Sequence, residues 1–394
     1  MRNMNSTNNS IDVLVVGNGV VGMAATLALS RCGLVVAQLA RRMPTMGKPT
    51  GPFNPRVYAL APQVLSWLQS LGVGALMDSA RQQVITDMQI AASSPQKLGR
   101  MHLSAYESGV PELAVMMEEC LLTYALNTAI TMRPEIRRIE GEVNGLSIND
   151  TAAIVQVGNQ RIVCRLLVGA DGANSCIRDL AGIASERQLY KQSALIANFS
   201  GHLHHGTAWQ WFNVDNILAL LPLPQNQLAM VWSMPSQRAA DLIENSALLD
   251  ALLTQQLADS HPNLKRQEST LCYPLQKLIV KNPVANRVAL VGDAAHVVHP
   301  LAGQGLNLGL QDIQTLAELI RERESYRDCG DSRILARYAR ARAERVLSMS
   351  ILTDRLATLF APSSGLSGLA AGAMNLLGGS SVLKSKLIRA ALGG

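Results

Sequence analysis

Asp12-Val13-Leu14-Val15-Val16-Gly17-Asn18-Gly19-Val20-Val21-Gly22 is the stretch on which the fold turns. Its first residues, mostly Val and Leu, have the branched apolar character of a buried parallel strand. The glycines that follow stand at the spacing of a turn that feeds a strand into a helix. Gly17 suits the tight turn, Gly19 lets the backbone approach a pyrophosphate, and Gly22 lets helix and sheet pack closely. Residues 23–31 carry a helical pattern, and 34–39, after Gly33, form a second strand. GxGxxG alone is a weak signal. Strand, turn, helix and strand at this distance make it a β-α-β dinucleotide-binding unit, in which the backbone N–H groups of Val20 and Val21 open the helix.

Two further glycine-marked turns follow buried strands. Residues 288–291 lead into Gly292-Asp293-Ala294-Ala295-His296, then His299-Pro300-Leu301-Ala302-Gly303-Gln304-Gly305-Leu306-Asn307-Leu308-Gly309, closed by Asp312. Asp293, directly after a strand-end glycine, is placed to accept hydrogen bonds from ribose or ribityl hydroxyls. Gly303, Gly305, Leu306 and Asn307 offer backbone N–H groups at a helix start, where charge on a reduced flavin would be stabilised. Residues 162–168 form the other strand, ending at Gly169-Ala170-Asp171-Gly172. The carboxyl ends of strands are where open α/β sheets bind ligands.

At 394 residues the chain exceeds a single hydrophobic core, so two domains are expected. With 48% hydrophobic and 16% charged residues it is globular rather than disordered. The net charge of +6 raises the question of nucleic acid, but no basic helix interleaved with aromatics appears and aromatics are 4%, so none is expected. Anionic lipid or anionic cofactors fit the charge better. Six scattered cysteines form no CxxC pair, which excludes a disulfide framework or zinc site and points to a reducing, cytoplasmic setting.

The trio of GxGxxG, Asp171-Gly172 with Arg178, and Gly292-Asp293 resembles the single-component FAD-dependent aromatic monooxygenases. The run from His299 to Asp312 is similar to the specific motif of their ubiquinone-biosynthesis hydroxylase branch. Further agreement lies in Arg56-Val57-Tyr58-Ala59-Leu60, Ala208-Trp209-Gln210-Trp211-Phe212, Leu221-Pro222-Leu223 and Tyr273-Pro274-Leu275, so the likeness covers essentially the whole chain. The resemblance implies an α/β fold: a Rossmann-like FAD-binding domain, an inserted β-sheet substrate domain and a helical C-terminus. The expected boundaries are 9–76, 105–185 and 282–345 for the first, 77–104 and 186–281 for the second, and 346–394 for the third. It also implies the reaction. NAD(P)H, a co-substrate without a bound domain of its own, reduces FAD; O2 adds at flavin C4a; the distal peroxide oxygen attacks the ring of a prenylated phenol or benzoquinol. The turn from Pro300 to Gly303 would lie beside the reacting edge, with His299, Pro300 and Gln304 as catalytic candidates. Arg56 and the Asp171-Gly172 segment would contact the cofactor.

The chain also departs from that family. The acid that usually ends the second strand and grips the adenosine ribose is Ala40, and no Asp or Glu occurs between Asp12 and Asp78. Such a charge-assisted bond is worth about 1.5–3 kcal/mol, roughly ten- to hundredfold in affinity. The stretch is instead basic (Arg31, Arg41, Arg42, Lys48, Arg56); one of these is expected to hold the AMP phosphate or stack on adenine, and Arg41 and Arg56 are cofactor-binding candidates. Cys120 stands where many relatives have Arg.

Blander readings stay open, and so do two other functions: a hydroxylase of a small soluble aromatic, or a flavin-poor accessory subunit among the ubiquinone-biosynthesis proteins. His296 and His299 flank the cofactor turn as packed or proton-transferring groups. His202, His204 and His205 are expected on a solvated loop, with no metal. Trp209, Trp211, Phe212 and Trp232 pack a core or line a ring pocket. Residues 356–383 lack charge but are too interrupted to span a membrane. Residues 382–391 form either a capping helix or an amphipathic helix bringing the enzyme to the inner membrane and to other ubiquinone-biosynthesis proteins.

Overall fold

β1 (Ile11–Val16) runs through Gly17-Asn18-Gly19 into α1 (Val20–Ser30) and β2 (Val36–Ala40), both strands buried nearly throughout. The chain continues with β3 (Val57–Leu60), α2 (Pro62–Leu68), β4 (Gln83–Ile85), β5 (Asp87–Ser93), β6 (Leu98–Ser104), α3 (Ala105–Ser108), β7 (Ala114–Glu118) and α4 (Glu119–Thr131). β8 (Arg137–Glu140), β9 (Val143–Ile148), β10 (Ala153–Val157), β11 (Gln160–Gly169) and α5 (Cys176–Leu180) follow. Next come β12 (Glu186–Ser200), β13 (Thr207–Phe212), β14 (Ile217–Leu223), β15 (Gln227–Pro235), α6 (Ser236–Glu244), α7 (Ser246–Leu257), β16 (Lys265–Arg266) and β17 (Leu271–Ile279). β18 (Val284–Ala285), β19 (Val288–Leu290), β20 (His296–Val297), α8 (Gln304–Arg321) and α9 (Ser332–Leu359) complete it. This computed structural model describes residues 10–359 apart from 46, 94–97, 202–205, 258–263, 269 and 300–302, and only the backbone at 93, 98 and 352–359.

The first sheet has the order β18-β19-β11-β1-β2-β8, with β10 and β9 continuing from β11. β1 is parallel to β2 and β11, β11 to β19, and β2 to β8. Their carboxyl ends therefore share one edge, and the turns after Val16, Gly169 and Leu290 lie side by side. One face of the sheet buries Val13, Val15 and Val36 against α1, α4 and α8 through Met23, Leu27, Leu122 and Ile313. The other buries Leu14, Leu39, Leu167 and Leu290 with Ile177 and Val155. Each such side chain removes apolar surface worth about 1.5–3 kcal/mol, so these layers hold the functional edge in place.

The second sheet has the order β20-β17-β12-β15-β14-β13-β5-β6, and β16 pairs with β12. α6 and α7 cover one face, over Trp232, Phe199, Leu218 and Met230. A small sheet, β3-β7-β4, links the two larger ones.

Four local expectations from the sequence pattern change: a helix over 112–127, a hairpin of 84–91 with 97–103, a single helix near 239–257, and a wholly helical chain after Gly292. Residues 112–118 do not begin the helix: Ala114–Glu118 is a strand held between β3 and β4, where tertiary pairing overrides a pattern ambiguous in so short an apolar run. The hairpin is β5 with β6, starting at Asp87, because residues 83–85 pair with β7 instead. The helix near 239–257 is two helices, broken at Asn245. The chain after Gly292 is not wholly helical, since His296–Val297 pairs with β17.

Candidate functional site

The three turns meet, and the contacts show why glycine is needed at a few positions. Gly17 sits at φ +137°, and a Cβ there would lie 2.2 Å from the Ala170 carbonyl oxygen of the second turn. A Cβ on Gly22 would lie 2.6 Å from the Gly17 oxygen. The third turn closes on the first: a Cβ on Gly309 would fall 2.9 Å from Val21 Cγ2 and 3.0 Å from Gly292 Cα. Gly292 itself is left-handed (φ +58°) over Val21. The start of α8 thus stands beside residues 17–22. Arg178, buried, fastens the remaining pair by donating to the Ala173 oxygen at 3.1 Å and the Ala294 oxygen at 3.2 Å.

Other glycines do the reverse and leave room. Nothing lies within 4 Å of a Cβ built on Gly19, Gly172 or Gly305. No side chain caps α1 at Gly19 or α8 at Gly303. The first-turn N–H groups of an uncapped helix have no acceptor within it and carry the positive end of its dipole. Two such termini at one sheet edge, each with an open glycine face, suit a ligand with a pyrophosphate at one end and a polarisable ring at the other.

The walls of this crevice are charged. Asp293 is water-accessible yet surrounded by protein; burial pushes its carboxyl up, with His296 and Arg56 pulling the other way. Arg56 Nε pairs with Glu119 Oε2 at 3.1 Å, and the Tyr58 hydroxyl donates to Glu119 Oε1 at 3.4 Å. Burial, then Glu119, pushes the Tyr58 phenol well above its ordinary range, so it stays a neutral donor. Cys120, in the place expected for Arg in relatives, is pushed up to about 12 by burial and then Glu118, and is an inert thiol. Arg41 is exposed and paired with Glu142 at 3.0 Å.

Several candidate residues have side chains engaged within the protein. Asp171 caps α5, accepting from Ser175 Oγ at 2.5 Å and Ile177 N at 3.1 Å. Asn307 is buried; it donates to the Ala59 oxygen at 2.8 Å and accepts from Ala61 N at 3.0 Å, which ties α8 to β3. Gln304 is within 3.5 Å of the Asn307 amide, and Leu306 packs on the core. Val20 is buried and Val21 is wedged between Gly292 and Gly309. His299 is buried edge-on to Tyr190, rings 5.2 Å apart, with Nε2 3.4 Å from Gln192 Oε1. Pro300, like His202, His204, His205 and residues 382–391, lies outside the described residues. Among the described residues no metal-binding cluster occurs.

Sequence reading missed the buried ion cluster behind the third turn. Asp312 accepts from Gly292 N at 2.9 Å and Arg342 Nε at 2.7 Å, and its Oδ2 is 2.7 Å from His296 Nε2. The cluster fixes the backbone that carries Asp293. It also missed the apolar face of the second sheet: Ala208, Leu223 and Ala229 pack with Phe53, Ile85 and Met116, and Met88 and Leu221 adjoin them. Ala59 of that cluster is 3.7 Å from a Cβ built on Gly303, so the face abuts the start of α8. Trp209, Trp211 and Trp232 are on the opposite, helix-covered face and pack core. Period-two alternation along β13 could have separated 208, 210 and 212 from 209 and 211.

Comparisons with known proteins agree with this geometry. The FAD binding domain family model matches residues 10–350. The 3-demethoxyubiquinol 3-hydroxylase of Escherichia coli is 30% identical over 339 residues, 84% of this chain and 85% of that protein. A ubiquinone hydroxylase of Rhodospirillum rubrum is 30% identical over 403 residues, 98% of this chain and 91% of that protein. Among solved structures, p-nitrophenol 4-monooxygenase from Pseudomonas putida superposes with a TM-score of 0.77 at 16% identity, covering 98% of both chains. Klebsiella pneumoniae HpxO, solved with FAD and uric acid, gives 0.74 at 16%, covering 100% of this chain and 99% of that one.

Proposed function

The chain belongs to the FAD-binding-domain family and, within it, to the ubiquinone-biosynthesis hydroxylases, and on that premise we propose that it hydroxylates the ring of a polyprenylated phenol or benzoquinol, using NAD(P)H and O2. The observation that carries the reading is the pair of uncapped helix starts, α1 and α8, at one sheet edge beside Asp293. Bound there, FAD supplies electron transfer from the nicotinamide and activation of oxygen.

The residues divide the work. The N–H groups of Val20, Val21 and Gly22 receive the pyrophosphate, with Gly17 and Gly19 shaping its approach. Asp293, set by Gly292, accepts from the ribityl hydroxyls. The N–H groups opening α8, between Gly303 and Asn307, stabilise negative charge on the ring. Arg56 and Arg41 attract the phosphates, and Gly172 leaves space beside them. His299, Pro300 and Gln304 are assigned to the reacting edge. The partly buried Met88 and Leu221, backed by the packed Phe53 and Met116, offer the substrate ring an apolar setting that excludes water, which keeps activated oxygen from being lost.

Two measurements test this. The purified protein should be yellow, with flavin absorbance, and removing it from its host should accumulate an unhydroxylated quinone precursor seen by mass spectrometry. Colourless protein that takes up no added FAD, together with an unchanged precursor profile, would leave the accessory-subunit reading instead.

We further propose peripheral contact with an anionic membrane. No described helix is long and apolar enough to cross one. On α9 the exposed residues Arg333, Arg337, Arg340, Glu344, Leu347 and Ile351 follow one stripe at spacings of three and four, basic first and apolar last. Each Arg near an anionic surface contributes about 1 kcal/mol. Flotation with phosphatidylglycerol vesicles should fall about a hundredfold in partition when the three arginines become Gln; unchanged flotation would refute the contact.

A further inference from the structure

β2 ends at Ala40 without the acid that a dinucleotide site usually sets against the adenosine ribose. A carboxylate nevertheless lies over that strand end. β8 runs parallel to β2 with Glu140 in register with Ala40, so both side chains leave the same face at the same edge. Ala40 is buried and stops at its methyl; Glu140 is exposed and folds back across the end of β2, its Oε1 accepting the Met43 N–H at 2.8 Å. A second bond, Gly141 N–H to the Ala40 oxygen at 2.9 Å, clasps the two strand ends. Gly141 has φ +158°, and a Cβ there would meet Val157 Cγ1 at 2.4 Å, so the clasp has little freedom.

The surroundings point the same way. Asn18, between the glycines of the first turn, donates to the Arg42 oxygen at 2.6 Å and draws the segment after β2 toward the pyrophosphate position. Arg41, next to Ala40 in sequence, is paired with Glu142 and is largely exposed. A carboxylate has about four lone-pair directions, and Met43 uses one. Ribose hydroxyls need an acceptor at this edge, which Arg41 and Arg42 do not provide through their guanidinium groups.

We infer that Glu140, one strand over from the usual position, is the residue that receives the adenosine ribose hydroxyls of FAD in place of the acid missing at Ala40. The inference rests on the FAD reading above, and the experiment separates the two. Apoprotein is titrated with FAD, and separately with FMN, which lacks the adenosine, by quenching of flavin fluorescence. Glu140→Gln retains an amide oxygen for Met43 N–H. Its apoprotein should melt as the parent does, bind FAD about ten- to hundredfold more weakly, and bind FMN unchanged. Ala40→Glu combined with Glu140→Gln should recover most of the FAD affinity, whereas Ala40→Glu alone should bring no gain because two carboxylates then crowd one ribose. FAD binding by Glu140→Gln as tight as the parent's, an equal loss for FMN, or a double variant no better than Glu140→Gln would overturn the assignment alone. A parent that takes up no FAD would overturn the wider reading with it.

Discussion

Asp312→Asn tests how the third turn is held. The carboxylate is 1% exposed and meets Gly292 N, His296 Nε2 and Arg342 Nε, all between 2.7 and 2.9 Å. An Asn there keeps the volume but loses the charge, and turns an N–H2 toward either the Gly292 and His296 donors or the Arg342 donor. Arg342, 4% exposed, is then a buried cation without a counter-charge. Removing one partner of a buried pair costs about 3–5 kcal/mol. At roughly 2 °C per kcal/mol for a chain of this length, the melting midpoint should fall by about 6–10 °C. The pH dependence is a second check. Burial pushes the Asp312 carboxyl up, but His296, Arg342 and the Gly292 N–H outweigh it and hold it below its ordinary range. Burial pulls His296 down, but Asp312 outweighs that and raises it. A raised His contributes stability that is complete below its unfolded value of about 6.5 and fades as pH climbs through the folded value. A lowered Asp contributes stability that is present above about pH 3.9 and lost as pH falls through its folded value. The gap between parent and variant should therefore be widest near pH 6 and narrow toward pH 9, without closing, because Arg342 stays charged. Thermal melts by circular dichroism across that range decide it. A gap under about 1 °C, or one that does not change with pH, would refute the reasoning.

Three further outcomes are expected. Gly19→Ala should melt as the parent does yet lose most of its FAD by fluorescence titration, since its Cβ enters open space that the pyrophosphate must occupy, whereas Gly17→Ala, 2.2 Å from a carbonyl oxygen, should not yield folded protein. Glu119→Gln releases Arg56 from a half-exposed ion pair and removes a negative charge from the crevice; FAD should bind roughly two- to fivefold tighter, the scale of such a pair, and weaker binding would count against it. Glu118→Gln breaks the buried fork to Arg81, which also donates to Gly51 and Pro52 and covers the Phe53 ring. Urea unfolding should show about 3–5 kcal/mol lost, and a loss below 1 would sink the idea.

The first turn was legible because its constraints are local: backbone angles, close approach and strand composition all concern neighbouring residues. The missing acid at Ala40 was legible for the same reason, but Glu140 was not, because register between parallel strands is set by packing a hundred residues away. Asp312 stood out as the end of a motif, while its partner Arg342 sits on a helix whose docking no local pattern encodes. Asp171 and Asn307 were marked for their place in motifs, and their side chains turned out to cap α5 and to bind β3. Val115, Met116 and Met117 are consecutive buried apolar residues, which suit a helix as well as a strand until β3 and β4 claim them. The apolar face beside Gly303 was hidden because the tryptophans, the most conspicuous residues of β13 and β15, are on its other side.

The dispersed origin of the first sheet bears on how the molecule is made. Val13 pairs with Val36 on one side but with Leu166 on the other, and Leu167 must in turn wait for Val288. On a ribosome, β1 therefore emerges with an open edge that stays unmatched until much later synthesis, a delay on the order of tens of seconds. An edge left open for that long is a template for wrong pairing, and the flavin can dock only once the third turn, residues 292–309, has been made.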